Sequence, residues 1–112
     1  TCKAGNDPSA SDEVAIEFLF HDCGPEAASL GLATRMRMYA AGAMSETFPL
    51  EALADVPSSY IVCSDDRTIT PDWSRSTARE RLGVDAIELP GGHCPYLSRP
   101  SQLADVLIKA LD

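Results

Sequence analysis

The apolar positions of this chain fall into short runs divided by turn-forming residues, and the spacing inside each run sets the element it predicts. Val14, Ile16, Phe18 and Phe20 alternate with Ala15, Glu17 and Leu19, which fits a short extended segment although Leu19 breaks the polar phase. His21, Asp22, Cys23, Gly24 and Pro25 end that run with turn chemistry. Residues 26–43 then turn to Ala, Leu, Met and Arg, behind a proline suited to the first turn of a helix. Leu30, Ala33, Met36 or Arg37, and Ala40 or Ala41 keep a helical period there, and Gly31 is a point where that helix could break. Residues 45–55 carry Phe48, Leu50 and Leu53 on a polar background and read as a linker with a turn of helix.

The remainder is more regular. Residues 58–63 form a short β-branched and aromatic run behind Pro57, which predicts a strand. Pro71 opens a helix that runs to about Leu82, with Thr70 as its N-cap and Gly83 as its stop. Residues 84–89 alternate apolar with polar or small side chains and predict a second strand. Strand, helix and strand in this order make a parallel βαβ unit. From Ser101 to Leu111 a hydroxyl-capped helix presents Leu103, Val106, Leu107, Ala110 and Leu111 on one face, which should pack back on the sheet.

Composition narrows the classes without choosing among them. A chain of 112 residues, 45% hydrophobic, is enough for one modest core. The formal net charge of −8 and the absence of a Lys/Arg cluster argue against a nucleic-acid partner. No apolar run approaches the roughly 20 residues that cross a bilayer, so no membrane partner is expected. Cys2, Cys23, Cys63 and Cys94 form no C-x-x-C pair, so neither a metal site nor a dense disulfide framework is expected. Cys63 ends an apolar run as a small buried hydrophobe. The Met36 and Met38 pair reads as adaptable packing rather than a cofactor box, and no cofactor is expected. Cysteine usage favours a reducing, cytoplasmic compartment. The chain opens on Thr1 rather than Met, so the true start of the protein is expected upstream.

Candidate chemistry sits in two loops, each just after a predicted strand. One is Cys63-Ser64-Asp65-Asp66-Arg67; the other is Pro90-Gly91-Gly92-His93-Cys94-Pro95. Open α/β sheets carry their functional groups at the carboxyl ends of the strands, and an acid and a histidine placed there could form the orienting and proton-transfer arm of a hydrolytic triad. Asp65 and Asp66 compete for the acid position. His21 and Asp22 read as turn residues with local hydrogen bonds, though a place in a cap would let them touch a substrate.

The stretch from Tyr60 to Pro71, followed by Gly91 to Pro100, resembles the C-terminal part of the α/β-hydrolase superfamily, most of all its small esterase and hydroxynitrile-lyase-like branch. The resemblance implies an α/β fold class, with a parallel βαβ unit plus a cap-region helix. Behind a lead-in over 1–12 that its Gly, Asn, Asp, Pro and Ser content makes flexible, the resemblance divides the chain into a cap-like segment over 13–55 and a βαβα part of the core over 56–112. It makes Asp66 the triad acid and His93 the general base, 27 positions apart, acting on a small ester-like substrate. Cys94, next to His93, is not expected to be the nucleophile. The family's G-x-S-x-G nucleophile elbow occurs nowhere in the sequence. The chain alone should therefore be inactive, and a missing N-terminal half or a homodimer partner is expected to complete it. Two other readings stay open: a non-catalytic domain that pairs through an open sheet edge, and a lyase on the same scaffold.

Overall fold

A computed structural model describes residues 7–35, 42–47, 49 and 55–111. Residues 1–6, 36–41, 48, 50–54 and 112 lie outside the described set, and with them half of the expected lead-in, the Met36 and Met38 pair, and Phe48, Leu50 and Leu53. Asp7 and Ala10 bracket a turn in which Asp7 accepts from the Ser9 N–H at 2.8 Å.

The first element corrects the sequence expectation. Residues Asp12–Phe18 form a helix, α1, where alternation predicts an extended segment. The run is almost wholly apolar, so it carries a helical phase as well as an alternating one, and the local cap decides. Ser11 accepts from the Val14 N–H at 3.4 Å, and Asp12 and Glu13 place negative charge on the first turn, where the helix dipole favours it. The second helix, α2, spans Pro25–Thr34 with proline in its first turn and ends where Arg35 turns extended. Gly31 does not break it. A Cβ there would lie 2.7 Å from the Phe20 ring, so the missing side chain lets that ring settle on the helix. Arg35 also forms an ion pair with Asp12, tying the end of α2 to the start of α1. A single turn, α3, follows at Gly42–Ser45.

The α/β part is the expected unit, built small. Strands β1 (Ile61–Cys63) and β2 (Ile87–Leu89) pair in parallel, with Ile61 opposite Ile87 and Cys63 opposite Leu89. Between them runs α4, Pro71–Thr77, continued by a wider π-helical turn over Ala78–Leu82 and stopped by Gly83 in the left-handed region. Thr70 stands at the N-cap position, but its hydroxyl makes no capping bond. Arg75 grips Glu88 on β2 through two bonds, at 2.7 and 3.0 Å. A short turn of helix, α5, follows at Pro95–Ser98, and α6 spans Pro100–Leu111.

The helix α6 departs from the expected packing. Leu103 and Val106 are half-buried, but Leu107 is 48% and Ile108 63% exposed. Twelve helical residues run about 18 Å, whereas three-residue strands run about 10 Å. So narrow a sheet leaves part of the apolar stripe open. The core is correspondingly thin. Ala15, Phe20 and Cys94 form one buried cluster with Leu32 and Leu97 against it, and Val62, Cys63, Ala78 and Leu89 are buried around the strands.

Candidate active site

The parallel ladder continues past the strands and places the two loops side by side. Ser64 N–H donates to Leu89 O and Asp65 N–H to Gly91 O, each at 2.9 Å. Because the strands are parallel, both carboxyl ends lie at the same edge, and the rungs carry the residue after Asp65 toward the residues after Gly91. There His93 Nδ1–H donates to Asp66 Oδ2 at 2.9 Å. A carboxylate only accepts, so this bond puts the ring proton on Nδ1 and leaves the Nε2 lone pair free to take a proton.

Asp66 is held on its other side too. Its Oδ1 accepts from the backbone N–H groups of Thr68 at 2.8 Å and Ile69 at 3.0 Å. The Thr68 hydroxyl in turn donates to Phe18 O at the end of α1. Three donors thus fix the carboxylate, whose side chain is only 12% exposed while the imidazole is 29% exposed. Asp65 is exposed, and among the described residues its carboxylate meets the Ser64 hydroxyl alone, at 3.4 Å. Of the two competing acids, the structure brings Asp66 to His93.

The His21–Asp22 turn is what sequence reasoning missed. A local bond from Cys23 N–H to Phe20 O closes it, but its side-chain bonds are long-range: His21 Nε2–H donates to Asp65 O at 3.0 Å, and Asp22 Oδ2 accepts from Gly92 N–H and from Arg99, each at 2.8 Å. Burial would raise the Asp22 carboxyl, but Arg99 and the Gly92 N–H outweigh it and hold it below the ordinary value. No local pattern carries this arrangement. The only signal is that a histidine and an acid fall together in a turn whose partners lie 44 to 77 positions away.

The three described cysteines are buried or half-buried beside the site and carry none of its bonds to Asp66. Cys23, Cys63 and Cys94 are free thiols. Burial pushes all three upward, so they stay protonated at neutral pH and are poor nucleophiles. Cys94 packs with Ala15 and Phe20, and the Tyr96 hydroxyl donates to its sulfur at 3.4 Å. That contact and burial push the tyrosine hydroxyl up to about 12. Among the described residues, no group of three or more His, Cys, Asp or Glu side chains is arranged to hold a metal ion. No helix among them is long and apolar enough to cross a membrane.

A parallel α/β unit with an acid and a histidine meeting at the carboxyl edge of its strands is an arrangement that hydrolases use on more than one fold, so the geometry alone does not name a family. A family model described as the alpha/beta hydrolase family matches residues 5–106, and the chain belongs to that family. The chain is also similar to "Probable hydrolase R7" of Phoma sp. (strain ATCC 20986 / MF5453), 38% identical over 58 residues, a match covering 47% of this chain and 24% of the relative. It spans about a quarter of the length of that curated relative. No solved structure gives a significant match.

Proposed function

We propose that the protein is a serine-type hydrolase of small esters or related carbonyl substrates, in which this chain supplies the acid and the base. The observation that carries the reading is the His93–Asp66 bond at 2.9 Å, with Asp66 anchored by two backbone N–H groups. His93 Nε2 takes the proton of an attacking serine hydroxyl as its oxygen bonds to the substrate carbonyl carbon, and Asp66 steadies the imidazolium that results. The imidazolium then gives that proton to the leaving alcohol, and a water activated by the same nitrogen hydrolyses the acyl-enzyme. The serine comes from a segment or a second chain outside these 112 residues, since the sequence carries no G-x-S-x-G. Residues 13–55 serve as a cap and residues 56–112 as part of the core. Three free thiols fit a reducing, cytoplasmic setting.

The test is turnover of p-nitrophenyl acetate by the full-length protein. Asp66→Asn and His93→Ala each lower kcat by roughly 10⁴-fold, the order seen when a triad acid or base is lost, while Asp65→Asn stays within about threefold. Turnover that survives both changes at the pair sinks the reading; loss with Asp65→Asn alone moves the acid by one position.

A further inference from the structure

The turn between α1 and α2 touches both loops at the residues next to the proposed pair. His21 bonds to the carbonyl of Asp65, which precedes Asp66, and Asp22 accepts from the N–H of Gly92, which precedes His93. The fit is close: a Cβ on Gly92 would come within 2.7 Å of both Asp22 Oδ1 and His21 Nε2. Gly92 does not have a positive φ, so contact rather than backbone conformation excludes a side chain there. Gly91 differs, with φ of +103°, and the Arg99 guanidinium lies against it.

The Asp22 and Arg99 side chains are 14% and 24% exposed, and Asp22 Oδ1 and Arg99 Nε are buried with no hydrogen-bond partner among the described residues. An ion pair this buried returns little net stability once its desolvation is counted. What it fixes is geometry. Without Asp22, the Gly91-Gly92 stretch keeps the rung from Asp65 N–H to Gly91 O, but nothing restrains the Gly92 N–H, and two glycines in a row are free to swing the ring that follows.

We propose that Asp22, held by Arg99, is a positioning residue that anchors the Gly92 N–H and so sets the place of His93 against Asp66. The proposal rests on the reading of Asp66 and His93 as acid and base. It is tested by steady-state turnover of p-nitrophenyl acetate by the full-length protein. Asp22→Ala lowers kcat by roughly ten- to a hundredfold with KM within about twofold, because a displaced base slows the chemical step without removing the substrate site. The imidazole N–H proton resonance of His93 shifts in the same variant. Asp22→Asn, whose amide oxygen still accepts from Gly92, recovers most of the loss. Wild-type kcat in a folded Asp22→Ala variant overturns the proposal, and so does Asp22→Asn failing as badly as Asp22→Ala. If Asp22→Ala does not fold, Gly92→Ala replaces it: its methyl displaces Asp22 and should lower kcat alike, and wild-type kcat there is equally fatal. Failure of the underlying reading looks different, since Asp66→Asn and His93→Ala would then retain turnover.

Discussion

The polar corner and the apolar core of this chain are built to different degrees of completion. At the corner, Asp66 is held by three donors and Asp22 by two, and the two loops are joined by rungs continuous with the strands. In the core, the largest well-buried side chain among the described residues is Phe20, while Leu107 and Ile108 on α6 and Trp73 on α4 are exposed. Hydrogen bonds are directional and close over a few residues, whereas apolar burial needs area, and two three-residue strands supply little of it. A local site can thus be set by a few directional bonds even where the apolar burial beside it is shallow.

The sharpest way to break this contrast is to attack the corner. Asp66→Asn or His93→Ala should lower kcat by roughly 10⁴-fold while costing the full-length protein only about 1 kcal/mol, the order of one lost hydrogen bond. A large drop in stability would mean that the corner also carries the fold. Next in size is Phe20→Ala, expected to cost about 3 kcal/mol in urea unfolding, since its ring fills the space that Gly31 leaves open. A loss under about 1 kcal/mol would mean that the cluster around Phe20 collapses freely.

A smaller effect follows from Asp22. Its folded carboxyl lies below the ordinary 3.8, so its contribution is complete above that value and is lost as pH falls through the lowered one. The stability gap between wild type and Asp22→Asn should therefore be present at about pH 6 and shrink toward about pH 3. A gap that widens on acidification would reverse the sign. Smallest of all, Leu107→Ser and Ile108→Ser should change the stability of this chain by less than about 0.5 kcal/mol, as exposed positions do. A loss of about 2 kcal/mol in the full-length protein would instead mark that face as covered there.

How much of this was legible in the sequence follows the same division. The βαβ unit, its stop at Gly83 and the two loops at the strand ends can be read because strand, helix and turn signals there agree with one another. The segment of α1 misleads because Val14 to Phe20 satisfies two periods at once, and Ser11 settles the matter. The packing of α6 was not legible: a stripe shows which face is apolar, not whether anything is present to cover it. Least legible were the bonds of His21 and Asp22, since no local spacing announces partners on three other segments.

The continuous rungs carry one last implication. Asp66 and His93 hang from the same two-stranded ladder, whose offset of 26 residues is set by Ile61 opposite Ile87 and not by the path that joins them. The crossover from Pro71 to Leu82 already accommodates a widened π turn without disturbing either loop. The exposed turn at Gly83 that ends the crossover is accordingly the place where foreign sequence could be grafted, or a reporter inserted, with Asp66 and His93 left in register.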